Sequence, residues 1–385
     1  MKKGYVALVA GEPSGDLLAS SVIKALNKNR PFEWPIQGIG GLHMQEAGME
    51  SLWPMDALTV RGYVEALSHL PQILKIRHEL ISHLKKQPPK AYVGIDAPDF
   101  NLGIEKVAKQ LGVPTIHFIS PSIWAWRKER ITKIQDAVDY MLCLFPFEVE
   151  LYANTRVHAR YVGHPLASSI PLQGNKQSAR QTLNLKQNLT TIAILPGSRI
   201  SEIKHIAPTF FEAAGLMHRE LNGAVQFVIP VATQILKPAL LELKSNLIKK
   251  YPNIDLQLID GQSGSCLEAA DSVLIASGTA TLEAALWKKP MVISYKVPTI
   301  TAWIMKRQGY LPYIGLPNIL SGKFVVPEIL QNDATPQKLA QATLNWLDQP
   351  QAVANLETRF LELHHQLRLS TGELVAQTIQ EVIRA

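Results

Sequence analysis

Two segments of this 385-residue chain have the residue types and spacing of an anion site, and each directly follows an apolar run of strand length. The sharper is Leu195-Pro196-Gly197-Ser198-Arg199. A helix is predicted from about Ser201, so the free amides and the dipole at its start would face an anion, with the Arg199 guanidinium as a two-pronged donor. An ordinary turn with a surface arginine is the plain alternative. Ser277-Gly278-Thr279-Ala280-Thr281 repeats the theme, with Glu283 one turn into the next predicted helix. Small side chains let phosphate oxygens approach the backbone, and a carboxylate at that place can bind ribose-type hydroxyls. The competing reading is a capping box, with Thr279 or Thr281 as cap and Glu283 as its partner. Two anion-type loops in one sheet point to a diphosphate more strongly than either alone.

A third segment, Ile95-Asp96-Ala97-Pro98-Asp99-Phe100, sets two carboxylates at the end of a buried strand. A carboxylate aimed into a cleft can take the proton of a reacting hydroxyl. Asp96 emerges from the strand end and is the preferred base, whereas Asp99 is placed to cap the following helix; the plain alternative is that both are caps. Ser120-Pro121-Ser122-Ile123-Trp124-Ala125-Trp126-Arg127 adds an aromatic loop suited to a sugar face, an acyl chain or plain packing. His164, in Gly163-His164-Pro165, reads equally as a packing residue or a ligand. Ala10-Gly11-Glu12-Pro13-Ser14-Gly15-Asp16 lacks the lysine of a P-loop, and Gly38-Ile39-Gly40-Gly41 has His43 where a dinucleotide fingerprint needs its third glycine. A nicotinamide or flavin enzyme loses most of its support.

The elements that must position these loops follow from apolar runs alternating with helical patterns, the signature of parallel sheets built from strand-helix-strand units. In the first half, strands are predicted at Tyr5 to Val9, Ala91 to Ile95, Thr115 to Ile119 and Tyr140 to Leu144. After a polar stretch from Gln173 to Asn188, whose first part reads as a linker, further strands are predicted. They run from Thr191 to Leu195, Gln226 to Pro230, Asp255 to Ile259, Ser272 to Ile275 and Met291 to Ser294. The expected fold class is α/β, with two Rossmann-like open domains over 1–170 and 171–350. A helical tail over 351–385 would cap the second domain or cross back to the first.

Composition narrows the partners. A formal net charge of +7 favours anionic ones, yet no basic run has the length of a nucleic-acid tail. The two cysteines, Cys143 and Cys266, sit far apart in apolar segments, so neither a disulfide framework nor a zinc site is expected. The opening Met1-Lys2-Lys3 and the apolar residues after it imitate a signal peptide, but the run is too short, and a first buried strand is predicted instead. No apolar run reaches spanning length. The stretch from Tyr63 to Lys86 carries Val64, Leu67, Leu70, Ile73 and Leu74 at near-helical spacing among cations. Such a face suits a membrane surface, although most amphipathic helices bury it in their own core.

Taken in order, these segments resemble lipid-A-disaccharide synthases. The similarity runs from Ala10 to about Gln331 and includes Gly94 to Asn101, Gly163-His164-Pro165-Leu166 and Leu316-Pro317-Asn318-Ile319-Leu320. Pro13 stands where many relatives have alanine. The resemblance implies a GT-B architecture with the active site in the cleft and inverting transfer without a metal or other cofactor. The donor would be UDP-2,3-diacylglucosamine, the acceptor 2,3-diacylglucosamine 1-phosphate, and the product a β-1,6-linked disaccharide 1-phosphate plus UDP. It implies Asp96 as base, Arg199 on the UDP diphosphate, and Asn318 and Glu283 on the donor. Glu12, Ser14, Gly197, Ser198, Glu202, Ser277, Gly278, Thr279 and Thr281 are counted as further substrate or nucleotide contacts. The tail helix would pack on the first domain, and Val64, Leu67, Leu70, Ile73 and Leu74 would meet the cytoplasmic face of the inner membrane, making the protein peripheral there, with no nucleic-acid partner. The other readings are an enzyme like UDP-N-acetylglucosamine 2-epimerase and a noncatalytic nucleotide-sugar or lipid-binding protein.

Overall fold

The computed structural model describes residues 4–28, 32–58, 63–125, 129–298 and 311–384, with only the backbone for 63–69. The chain divides into two compact units, the first made of Met1–Ser168 with Leu367–Ala385, the second of Ser169–Gln366.

The first unit holds seven strands: β1 (Val6–Ala10), β2 (Ile36–Gly40), β3 (Glu50–Pro54), β4 (Ala91–Ile95), β5 (Thr115–Phe118), β6 (Tyr140–Cys143) and β7 (His158–Tyr161). They pair in parallel in the order β3-β2-β1-β4-β5-β6-β7. Every residue of β1 and β4 is buried, as continuous apolar runs in a sheet covered on both faces require. The order reverses between β1 and β4, and the crevice beyond such a reversal is where open α/β sheets bind ligands. Gly11 and Glu12 follow β1 there, and Asp96 follows β4.

The second unit has six strands: β8 (Thr190–Leu195), β9 (Val225–Val231), β10 (Asp255–Asp260), β11 (Ser272–Ala276), β12 (Met291–Tyr295) and β13 (Glu328–Leu330). Their order, β10-β9-β8-β11-β12-β13, is again wholly parallel and reverses between β8 and β11. The loops at Gly197 to Arg199 and Ser277 to Thr281 leave these two strands. Its core is built from Ile192, Ile194, Phe210, Phe227, Leu274 and their neighbours, and each fully buried aliphatic or aromatic side chain of this kind contributes roughly 1.5–3 kcal/mol.

The nine strands expected from sequence all form, to within one residue at either end. The unexpected ones are β2, interrupted by glycine, and the outer strands β3, β7 and β13, whose short mixed runs carry no continuous apolar signal. The polar stretch read partly as a linker contains a helix, Lys176–Thr182, that belongs to the second unit. The helical end of the chain is divided. Residues 351–366 belong to the second unit, while the helix Thr371–Arg384 packs along Pro13–Leu26 in the first, with Lys28 on Glu373 and Arg160 on Glu381.

Candidate active site

Asp96 leaves β4 in an unusual backbone conformation: φ is +52° there and +45° at Ala97, two successive non-glycine residues in the left-handed region. The turn is held by the Asp96 amide donating to the Phe118 carbonyl (2.9 Å) and by the Asn101 side-chain amide donating to the Asp96 carbonyl (2.8 Å). The Asp96 carboxylate is half-buried and makes no hydrogen bond or ion pair among the described residues. Asp99, by contrast, is exposed and paired with Arg130 (2.8 Å). It does not cap the helix Pro98–Gln110, as the sequence suggested; Ala97 stands at the cap position and has no oxygen to offer.

Beneath the Asp96 turn lies a buried pair. His117 Nδ1 is 2.7 Å from Glu105 Oε1, and both side chains are fully enclosed. Burial pushes His117 down, but the Glu105 carboxylate, by its charge and hydrogen bond, and the charge of Asp96 outweigh it, leaving the imidazole above its ordinary value.

The aromatic loop after β5 is anchored by Trp124, whose indole NH donates to Glu148 (3.1 Å). Phe147 packs edge-on against Trp124, Phe145 stacks on Phe147, and His164 stacks on Phe145. Burial raises Glu148 to about 7 and lowers His164 to about 4. Trp126 and Arg127 lie outside the described residues.

In the second unit Gly197 has φ +115°, and a Cβ there would collide with the Glu202 carboxylate. That carboxylate accepts from the amides of Ser198 (2.8 Å) and Arg199 (3.3 Å) and from the Arg199 guanidinium (2.9 Å). The sequence expectation of free amides at Ser198 and Arg199 is therefore corrected: a carboxylate from the helix Ile200–Glu220 already occupies them. Arg199 remains 76% exposed along its side chain, so most of its guanidinium still faces outward.

The loop after β11 is tied by Ser277 Oγ to the Ile314 carbonyl (3.2 Å) and by Thr281 Oγ1 to the Gly278 carbonyl (2.8 Å), while Gly278 and Thr279 are exposed. Glu283 does not serve as partner in a capping box with Thr279 or Thr281; it accepts from Ser263 Oγ (2.9 Å), twenty residues earlier, and burial raises its carboxyl. Asn318 is fully buried, and its amide is engaged by Val326, Glu328 and Val325, so it braces the loop after β12. Near the first switch point Glu12 and Ser14 are exposed, whereas Asp16 is buried and accepts from the amides of Gly41, His43 and Met44 (2.9, 3.1 and 3.0 Å). The glycine-rich turn after β2 thus has its helix start filled by the protein's own carboxylate. Pairs such as Asp16 with Gly41 or Glu283 with Ser263 left no local signal in sequence. Glu202 did, standing three residues after Arg199 in a capping-box position.

In the helix Tyr63–Lys86, Leu70 and Leu74 are exposed, Ile73 is half-buried, and Ile76, Leu80 and Leu84 face the core. The side chains of Val64 and Leu67 lie outside those described. Among the described residues no helix is long and apolar enough to cross a membrane, and no group of three or more His, Cys, Asp or Glu side chains is gathered as for a metal.

Two parallel sheets, each with loops of this kind at its switch point, define the GT-B glycosyltransferase fold. Solved structures share it across nearly the whole chain. UDP-GlcNAc 2-epimerase from Neisseria meningitidis bound to UDP-GlcNAc matches with a TM-score of 0.62 at 12% identity, covering 98% of this chain and 99% of that one. MurG from Acinetobacter baumannii matches with a TM-score of 0.58 at 16% identity and the same coverage. The sequence is more specific: the lipid-A-disaccharide synthetase family model matches residues 6–382. The lipid-A-disaccharide synthase of Paraburkholderia xenovorans (strain LB400) is 53% identical over 378 residues, 98% of this chain and 96% of the relative. That of Paraburkholderia phytofirmans is 53% identical over 379 residues with the same coverage. The chain belongs to the lipid-A-disaccharide synthetase family and is a glycosyltransferase of lipid A biosynthesis.

Proposed function

We propose that the chain joins UDP-2,3-diacylglucosamine to the 6-hydroxyl of 2,3-diacylglucosamine 1-phosphate. Asp96 takes the hydroxyl proton, the alkoxide attacks the donor's anomeric carbon with inversion, and UDP leaves. The observation that carries this reading is the Asp96 carboxylate, without a hydrogen bond or ion pair among the described residues, at the switch point of the first sheet, in a chain of this family. Charge growing on the departing diphosphate is met by the outward Arg199 guanidinium and by the exposed small residues Gly278 and Thr279, without a metal ion. Glu12 and Ser14, exposed after β1, contact the acceptor, and Glu202, Thr281, Glu283 and Asn318 shape the donor side.

Incubating the protein with both glycolipid substrates and scoring UDP and disaccharide tests the reading. Disaccharide with stoichiometric UDP is expected. Epimerised UDP-sugar without acceptor consumption would point to the epimerase-like alternative, and binding without turnover to a carrier.

The acceptor and donor of this reading are lipids, and the exposed Leu70 and Leu74 suit a peripheral position on the inner-membrane surface, with Val64, Leu67 and Ile73 as the further residues that the sequence spacing assigns to it. A Leu70→Asp, Leu74→Asp variant should co-sediment less with anionic liposomes than the parent; equal binding removes the idea.

A further inference from the structure

We infer that Asn101 is the positioning residue of the base: its side-chain amide locks the left-handed turn that swings Asp96 out of the sheet. This rests on the reading of Asp96 as base. Non-glycine residues in the left-handed region are sterically strained, and such strain persists only where the surroundings over-determine it. Two in succession, at Asp96 and Ala97, need a dedicated hold.

Asn101 supplies it. Its Nδ2 donates to the Asp96 carbonyl (2.8 Å), the group that a left-handed turn reorients, and reaches the Val9 carbonyl at 3.4 Å. Its Oδ1 accepts from the hydroxyl of buried Tyr92 (2.9 Å), which fixes the amide so that the nitrogen faces Asp96. One side chain therefore ties β1, β4 and the Asp96 turn together at the switch point. Asn101 has no solvent exposure, and a buried amide is worth retaining only when its bonds are made.

The space for this amide comes from Gly94. A Cβ there would approach the Asn101 side chain at 3.0 Å and collide with Glu105. Glu105, one turn further along the same helix, is held by His117 on the neighbouring strand, so the helix is pinned to the sheet by two buried polar side chains. The direction of Asp96 is thus set through its backbone, and its carboxylate needs no partner among the described residues to hold it.

The test compares Asn101→Ala, Ala97→Gly and Asp96→Asn in the full chain, reading kcat, donor KM, UDP affinity and melting temperature. Asn101→Ala is expected to lower kcat by a factor of roughly 30–100, the scale of a misplaced catalytic group, with donor KM and UDP affinity within about twofold of the parent. Added to Asp96→Asn, it should cause no further loss, since it acts through that side chain. Ala97→Gly relaxes the turn without touching Asn101. It should lower kcat several-fold while leaving the melting temperature unchanged or higher, a split that a merely structural role does not produce. Should Asn101→Ala fail to fold, Asn101→Asp, which keeps the acceptor for the Tyr92 hydroxyl and loses the donor to the Asp96 carbonyl, takes its place with the same expected outcome. Near-parental kcat in Asn101→Ala or Ala97→Gly, or a full extra loss in the double variant, overturns the proposal. Near-parental turnover in Asp96→Asn overturns instead the assignment of the base.

Discussion

The two switch points carry carboxylates put to opposite uses. Beyond β4, Asp96 has no partner among the described residues and is held through its backbone alone. Beyond β8, Glu202 spends its oxygens on the Ser198 and Arg199 amides and the Arg199 guanidinium. Asp16, beside the first switch point, behaves like Glu202 and fills the helix start after β2. The difference teaches how one fold can hold one acid as a structural brace and leave another open at an equivalent strand end. A helix start plugged by an internal acid is a rigid part, whereas a carboxylate with no donor among the described residues is left open to a substrate.

The contrast breaks first at Asp96. Asp96→Asn should lower kcat by about 10²–10⁴-fold, the usual value of a positioned base, with UDP affinity unchanged by calorimetry. Parental turnover would make Asp96 one more structural acid.

Arg199→Ala comes next. Loss of about 10²-fold in kcat/KM together with weaker UDP binding is expected from removing a preorganised charge donor. A loss of rate with unaltered UDP affinity would move Arg199 away from the diphosphate.

Asp16→Asn and Glu202→Ala sharpen the comparison on its structural side. Asp16→Asn should destabilise the fold by about 1–3 kcal/mol in denaturant titration, because a buried acceptor of three amides is weakened, while turnover per folded molecule stays near the parent. Glu202→Ala should cost about 1 kcal/mol as a lost cap and loosen UDP several-fold. Tighter UDP binding would instead make Glu202 a competitor for the phosphate.

The smallest effect concerns His164. Burial holds it down to about 4 in the folded state, below the ordinary histidine value, so the unfolded chain binds the proton first. Its contribution to stability is present above about pH 6.5 and is lost as the pH falls toward 4. A His164→Asn variant should show a smaller drop in melting temperature between pH 7 and pH 4.5 than the parent.

Much of this was legible in the residues themselves. Val6–Ala10, Ala91–Ile95 and Ser272–Ala276 are short apolar runs bounded by glycine, proline or polar breaks, and burial on both faces of a parallel sheet demands that pattern. Their loops were legible for the same reason, since chemistry in such folds gathers just past strand ends. The edge strand Glu328–Leu330 was not, because three half-buried residues carry no periodicity.

What local sequence determined about this protein, then, is the succession of strands and the identity of the loops, because both are set by neighbours within a few residues. Partnership across longer separations was decided only by the tertiary structure. Glu283 turns to Ser263 instead of capping its own helix, Asp16 reaches amides some twenty-five residues ahead, and Asn101 fastens a strained turn to two strands. Each of these acids and amides finds its donors or acceptors only once parallel strands far apart in the chain lie side by side, and only then does Asp99 turn from an expected cap into the partner of Arg130.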